Sequence, residues 1–382
     1  MNKKTVGIVT FHFSKNYGSA LQCYALYKTL LLNGYKPEVI DYCPSYHTLS
    51  YNTYNSFRDY YENRGKNRFI SVALRTIKRN VVGFFMVDKR SKNRKFSRFI
   101  NDNIKLTKLY KYVKSIDDDF DIYISGSDQI WNYKTVKDKE YGGIYDKAYF
   151  LAFANGKKKV AYAVSAQHGN IRLDLDRDVL SLIEDYDYIF TREGALAETL
   201  HLLGRTDAST VLDPTLLLEK TYYESVEAML PQTGEDYILV YNLPGDNSTL
   251  LESIVIKLSM QTGYKIIDIS PFPYADLNSQ KEKSCGPAEF LTYVHNAKYV
   301  LTDSFHCVIF SLIYQKNFNC VLRDENDERI KCILDMCGLN DKLVKSENEI
   351  INLDPIEYSF VWEKIEPERQ KSIELLLNAL EN

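Results

Sequence analysis

The chain has 382 residues, 45% of them hydrophobic, and 48 Lys and Arg against 51 Asp and Glu leave a net charge of −3. That length favours two domains of ordinary size, each able to bury its own core, and the composition excludes a disordered chain or a coiled coil. Near-neutrality also argues against a dedicated nucleic-acid partner, which requires a cationic excess to displace counterions from phosphates.

The start, MNKKTVGIVTFHF, has a basic lead and a short apolar run broken by His12 and Ser14, so it does not read as a secretory signal. Residues 6–11 read as a strand, the segment with Asn16, Tyr17 and Gly18 as a loop, residues 20–32 as a helix stopped by Gly34, and residues 39–42 as the next strand. Strand, helix and strand in this order are one right-handed crossover of a parallel sheet. From 58 to 114 the composition changes to 17 Lys and Arg against four Asp and Glu, which leaves the rest of the chain near −16. Helical spacing recurs here in pieces, as at Phe96, Phe99 and Ile100, and residues 81–87 are an apolar tract. Two readings follow: a helical insertion packed on its parent domain, or a peripheral anchor with basic residues at anionic headgroups and apolar residues below them.

Residues 120–125, 159–164 and 188–191 are short β-prone runs ending in small or polar residues, as central parallel strands do. A second set runs from Val211 through 237–241, 265–269, 299–302 and 318–322, with a helix over 248–263. The expected organisation is an N-terminal domain at 1–195 carrying the basic insertion at about 58–114, and a C-terminal domain at 196–365, with the hinge region within about 195–236. A closing helix at 366–382 begins at Pro367, carries Ile373, Leu376, Leu377 and Leu380 on one face, and crosses back to the first domain. Seven cysteines form no CxxC pair and read as reduced thiols of a cytoplasmic protein; no apolar run approaches the roughly 18 residues of a membrane-spanning helix. Thirty Tyr and 18 Phe point to many half-buried, amphipathic contacts.

Four segments set polar residues directly after predicted strands, where open α/β sheets bind ligands. They are Asn16-Tyr-Gly-Ser19, Gly126-Ser-Asp-Gln-Ile-Trp-Asn132, Thr191-Arg-Glu193 and Thr302-Asp-Ser-Phe-His306. Gly126 permits close backbone approach, and Ser127 and Asp128 offer acceptors suited to sugar hydroxyls, although an Asx turn explains them equally. His306 follows a strand and opens an apolar helix, where an imidazole can donate a proton and the helix dipole favours an anion. His12 is its one competitor; His47, His168, His201 and His295 read as structural. Arg192 is shaped to hold phosphate or carboxylate, the alternative being an ion pair with Glu193. Arg323 and Lys331 belong to a solvated charge run, and Asp117 to Asp119 to a loop. The Walker, GxGxxG, HExxH and GxSxG patterns are all missing.

The segments GIVTFHFSKNYGSALQCYAL, DIYISGSDQIWN, KVAYAVSA, FTREGAL, VLDPTLLL and AEFLTYVHNAKYVLTDSFHCVIFSLIYQKNF resemble, in order and over nearly the whole chain, the polysaccharide pyruvyl transferase family. The resemblance implies two Rossmann-like domains facing a cleft, similar to GT-B glycosyltransferases. It implies phosphoenolpyruvate as donor and, as acceptor, a sugar of a bacterial surface polysaccharide precursor such as a capsule or exopolysaccharide unit, on which a pyruvate ketal is built with release of phosphate. His306 matches the family's catalytic histidine and general acid, and Arg192 the arginine that holds phosphoenolpyruvate. Arg329, nine residues before Gly338, matches a basic donor-binding position, usually Lys. Ser304 falls in the donor-binding segment before the histidine. Asn16, Gly18 and Ser19 match the N-terminal loop, and Gly126, Ser127, Asp128 and Gln129 a second loop toward acceptor or donor. The sequence departs from the family in having Ser19 where many members have Asp, Ser304-Phe305 where others have an Arg-containing segment, and Cys307 for a frequent Gly. Arg329 or Arg323 is then the substitute for the missing cation.

Phosphoenolpyruvate carries a carboxylate and a phosphate, so its pocket needs two or more cations. No redox cofactor and no metal is required, since arginines neutralise the leaving phosphate. The expected location is the cytoplasm, with a peripheral contact at the inner face of the cytoplasmic membrane through 58–114 if the acceptor is lipid-linked. The alternatives are a GT-B-like glycosyltransferase using a nucleotide sugar and a non-catalytic sugar-binding homologue.

Overall fold

The computed structural model describes residues 3–44, 87–134, 145–166, 169, 171–172, 178–230, 234–243, 248–274, 277–322, 328–346 and 352–382. The chain divides into two units, Met1–Leu217 with Lys371–Asn382, and Leu218–Gln370.

The first unit is built on six parallel strands: β1 (Thr5–Val9), β2 (Lys36–Val39), β3 (Ile122–Ser125), β4 (Lys158–Val164), β5 (Tyr188–Thr191) and β6 (Ser209–Thr210), in the order β2-β1-β3-β4-β5-β6. Gly7 at the centre of β1 faces Glu38 of β2 on one side and Tyr123 of β3 on the other. Helices α1 (Tyr17–Leu32), α2 (Val87–Asn103), α3 (Asp178–Glu184) and α4 (Gly194–Leu202) belong to this unit. Strand β3 is buried at every position, which is why its run alternates no polar residues.

The second unit has β7 (Tyr237–Tyr241), β8 (Lys265–Asp268), β9 (Gln280–Lys281), β10 (Tyr299–Thr302) and β11 (Asn317–Cys320), all parallel, in the order β11-β10-β7-β8-β9. With it go α5 (Lys220–Glu224), α6 (Ser248–Thr262), α7 (Pro287–Asn296), α8 (Phe305–Ile313) and α9 (Glu328–Cys337). The two Rossmann-like parallel-sheet units expected from the sequence are present. In each sheet the strand order reverses at one place, between β1 and β3 in the first and between β7 and β10 in the second, where ligand crevices form at the carboxyl ends.

Several boundaries differ from expectation for local reasons. Helix α1 begins at Tyr17 because Asn16 caps it, so Gly18 and Ser19 lie in its first turn and not in a loop. Strand β2 lies at 36–39, ahead of the expected 39–42; it is an edge strand, where Pro37 can be placed without an N–H. The first unit runs past 195 to Leu217 because β6 pairs with β5 and the turn Pro214–Leu216 packs on α1. The apolar tract 81–87 lies outside the described residues except for Val87. Many tyrosines are fully buried and not half-buried, with the hydroxyl engaged: Tyr42 donates to Asp146 at 2.8 Å and Tyr186 to Ser125 at 2.9 Å.

The closing helix, α10 (Tyr358–Glu381), starts nine residues before the expected Pro367, which sits inside it. Its first part belongs to the second unit and residues from Lys371 to the first, so the expected return occurs. There Ser372 accepts a hydrogen bond from the Leu212 amide at 3.0 Å, Lys4 donates to the Leu380 carbonyl at 2.8 Å, and Leu376 and Leu380 are buried. Leu380→Ala is therefore expected to cost about 2–5 kcal/mol, read as an earlier midpoint in thermal or denaturant unfolding. An unchanged midpoint would show that this helix end adds nothing to the first core.

Candidate functional site

In the first unit, the loops after β1, β3, β4 and β5 converge on one hydrogen-bonded network. The Asn16 side chain accepts from the Ser19 amide at 3.3 Å, and the first turn of α1 holds no acidic residue to offset the helix dipole. The Ser19 hydroxyl donates to Asp128 Oδ2 at 2.6 Å. Gln22, fully buried one turn further on, donates to the Thr10 hydroxyl at 2.8 Å and accepts from the Ser127 amide at 3.1 Å, locking the β3 loop to α1. Gly126 has φ +138, and a Cβ there would lie 2.0 Å from the Tyr162 carbonyl oxygen, so no other residue fits. Gln129 donates its amide N–H to Asp128 Oδ1 at 2.9 Å, and its side-chain oxygen accepts from Asn132 at 2.9 Å.

Arg192 lies at the centre of this network, its side chain only 3% exposed. Its Nε donates to Glu193 Oε1 at 2.9 Å and its Nη1 to Asp213 Oδ2 at 3.0 Å, while Nη2 lies 3.9 Å from Asp128 Oδ1. Ser165 adds a second hydrogen bond to Glu193 Oε1 at 2.9 Å, and Thr215 donates its amide and hydroxyl to Asp213 Oδ1. Burial by itself lowers the Arg192 pKa, but the carboxylates of Glu193, Asp213 and Asp128 outweigh it and raise the pKa above the ordinary arginine value, so the group remains a cation. Three carboxylates against one guanidinium make this crest acidic. Chemically it favours hydroxyl or amine donors over a second anion.

The second unit has a different crest. Ser304 precedes α8 as its cap residue without a side-chain cap bond; its amide donates to the Thr302 hydroxyl at 3.0 Å, which in turn donates to the Tyr241 carbonyl at 2.6 Å. His306, in the first turn of α8, is buried and stands edge-on to Phe305 at 5.1 Å. Neighbouring loops are tied together by the Leu243 amide donating to Asp303 at 2.8 Å and by Asn242 donating to the Tyr274 hydroxyl at 2.7 Å. Burial, then the charges of Asp303, Asp268 and Glu252, raise the Tyr274 pKa, so its hydroxyl keeps its proton. Burial also pushes the Cys307 thiol up to about 12, opposed by the neighbouring Thr302 side chain and reinforced by Asp303; beside His306 it is a neutral thiol and no nucleophile.

Of the residues singled out in the sequence, Ser19, Ser127, Asp128, Gln129 and Arg192 join one network, Asn16 and Gly18 form the start of α1 beside it, and Gly126 gives the β3 loop its path. Ser304 and His306 share the start of α8. Arg329 is half-buried on the first turn of α9, which packs against α8. Arg323 lies outside the described residues, as do His47 and His168. His12 is clamped between Asp41 at 2.9 Å and the Thr10 carbonyl at 3.3 Å, a brace between the ends of β1 and β2. His201 meets the Ala208 carbonyl at 2.7 Å and His295 meets Glu227 at 3.0 Å. Among the described residues no group of three His, Cys, Asp or Glu could hold a metal ion, and no helix is long and apolar enough to cross a membrane.

Glu193 is the ion-pair partner that the sequence offers for Arg192, whereas Gln22, Ser165 and Asp213 join the network without having been singled out in the sequence. Gln22 is the polar exception in the run Ala20-Leu-Gln-Cys-Tyr-Ala-Leu26, and Asp213 precedes a proline just after a short strand. Both are signals that a buried polar network leaves in an apolar context.

Two doubly-wound units with polar loops at their switch points define a class of α/β protein built to bind ligands at sheet edges. The polysaccharide pyruvyl transferase family matches residues 16–325, and the chain belongs to that family. Among curated proteins none matches the chain. Solved structures similar to it include a UDP-GlcNAc 2-epimerase from Methanocaldococcus jannaschii, with TM-score 0.48, 12% identity and coverage of 98% of this chain and 99% of that one. The S. aureus MnaA–UDP co-structure has TM-score 0.49 and 11% identity, covering 100% and 96% respectively. The glycosyltransferase SnogD from Streptomyces nogalater has TM-score 0.39 and 9% identity, covering 99% and 100%.

Arg192→Ala leaves the Glu193 and Asp213 carboxylates buried without their counter-charge. The expected loss is about 3–5 kcal/mol of stability, measured by denaturant unfolding of the full chain. A variant as stable as the wild type would show that the ion network holds nothing together.

Proposed function

We propose that the protein transfers the enolpyruvyl group of phosphoenolpyruvate to a sugar of a bacterial surface polysaccharide precursor, carried on a lipid, forming a cyclic pyruvate ketal and releasing phosphate. The observation that carries this reading is the position of His306, in the first turn of α8 at the switch point of the second sheet, in a chain of the pyruvyl transferase family.

In this reading His306 gives a proton to the methylene carbon of phosphoenolpyruvate, converting CH2 to CH3 and leaving cationic character on the central carbon. One sugar hydroxyl attacks that carbon and returns a proton. A second hydroxyl then displaces phosphate, which departs with the remaining proton, and the ketal closes. The positive end of α8 and the Ser304 hydroxyl favour the phosphate as it gains charge. Arg329 is the second cation for the donor. Arg192, which the family resemblance assigns to the donor, is already matched by Glu193 and Asp213, so its part in this reading is to hold those carboxylates in place. Asp128, with Gln129 and Ser19 beside it, is the acceptor offered to sugar hydroxyls, while Ser127, fully buried and turned to Asp213, holds the loop. Neither a metal nor an organic cofactor enters the steps.

The test is phosphate release from phosphoenolpyruvate in the presence of sugars bearing two suitably spaced free hydroxyls. His306→Ala is expected to lower turnover by about 10²–10⁴-fold with the circular dichroism spectrum unchanged. Near wild-type turnover in that variant would sink the assignment.

A further inference from the structure

The basic stretch is a sequence feature that the transfer chemistry does not use, and its described part, from Val87 on, gives it a more definite meaning. Helix α2 carries Lys89, Arg90, Lys92, Arg94, Lys95 and Arg98 against Asp88 and Asp102. Its apolar residues Phe96, Phe99 and Ile100 are buried. Phe96 stacks on Tyr17 of α1 at 5.4 Å, Phe99 meets Tyr24 edge-on at 5.8 Å, and Lys92 Nζ lies 4.7 Å from the centre of the Tyr17 ring. The face that an inserting helix would sink into lipid is therefore spent on α1.

The opposite face bears Arg90, Arg94 and Arg98, spaced four residues apart and so stacked along one line of the helix. Arg94 and Arg98 are exposed and Arg90 is half-buried. Like charges at this spacing oppose helix formation by about 0.2–0.5 kcal/mol per pair, and the sequence bears that cost twice. Asp88 and Asp102 lie at the two ends of the helix. Further along the basic stretch, Lys105 and Lys108 are neutralised within the fold by Glu38 at 2.5 Å and Asp117 at 2.8 Å.

We infer that this arginine ridge adsorbs the protein onto an anionic bilayer electrostatically, while the apolar face of α2 stays on α1. Arg94 and Arg98 are about 6 Å apart along the helix axis, so one phosphate engages one guanidinium, whereas a plane of headgroups engages both. This inference is independent of the transfer chemistry: it uses neither His306 nor phosphoenolpyruvate.

Full-length protein is sedimented with vesicles of phosphatidylglycerol and phosphatidylcholine, and with phosphatidylcholine alone. Binding is expected only to the anionic vesicles, weakening steeply as salt rises from about 0.1 to 0.5 M. Arg94→Gln with Arg98→Gln, both at the surface, is expected to bind about 30-fold more weakly with an unchanged melting temperature. No sedimentation, equal binding to neutral vesicles, or equal binding by the double variant overturns the inference. So does displacement by inorganic phosphate at matched ionic strength, which would mark a site for a free anion.

Discussion

Parallel pairing places the carboxyl ends of all strands of a sheet on one edge, and the returning helices bury both faces. Polar side chains that need a ligand or a partner then have that edge alone. In both units of this protein the polar residues after the strands obey this constraint, from Asn16, Asp128 and Arg192 in the first to Asp303 and Ser304 in the second. The two edges are chemically opposite. The first gathers three carboxylates around one guanidinium, whereas the second presents the amino end of α8 with His306 in its first turn.

Burying a guanidinium costs several kcal/mol unless its hydrogen bonds and charge are met. Arg192 meets this with Glu193 beside it and Asp213 after β6, so one side chain ties β5 to the far edge of the sheet. Asp213 in turn accepts from Thr215, and Ser127 approaches its other oxygen at 3.5 Å. The β3 loop is thus held from two sides, by Gln22 of α1 and by this ion network. Such a loop holds Asp128 in a fixed orientation. An arginine that looks in sequence like a free anion hook is, in the fold, first of all the counter-ion of its neighbours.

How far this was legible in the sequence depended on whether the cause was local. Strand runs such as Tyr237–Tyr241 and Tyr299–Thr302 are continuous β-branched and aromatic segments, and they fall where the pattern puts them. The start of α1 was missed because its cap hydrogen bond overrides the turn propensity of Asn16, Tyr17 and Gly18. The helix start assigned to Pro367 failed because proline fits both the first turn and a tolerated interior position, and tertiary packing of Val361 and Ile365 decided for the interior. Arg192, Ser304 and His306 could be named from their positions after strands. Glu193, the neighbour of Arg192, could be named as its ion-pair partner; Asp213 could not, because it lies 21 residues after Arg192 and only the sheet order brings it into register.

Charge shows the same division between composition and placement. A net charge of −3 conceals a strongly basic stretch, and the sequence alone allowed its aromatic residues to be read as lipid-facing. Once Phe96 and Phe99 are seen against Tyr17 and Tyr24, the apolar face of the helix is occupied, and the exposed Arg94 and Arg98 lie opposite it. An amphipathic helix can spend its apolar side only once. Packing on α1 therefore leaves this helix a charged surface, whose electrostatics are long-ranged and screened by salt, next to the helix whose cap Asn16 and first-turn Gly18 and Ser19 border the acidic crest.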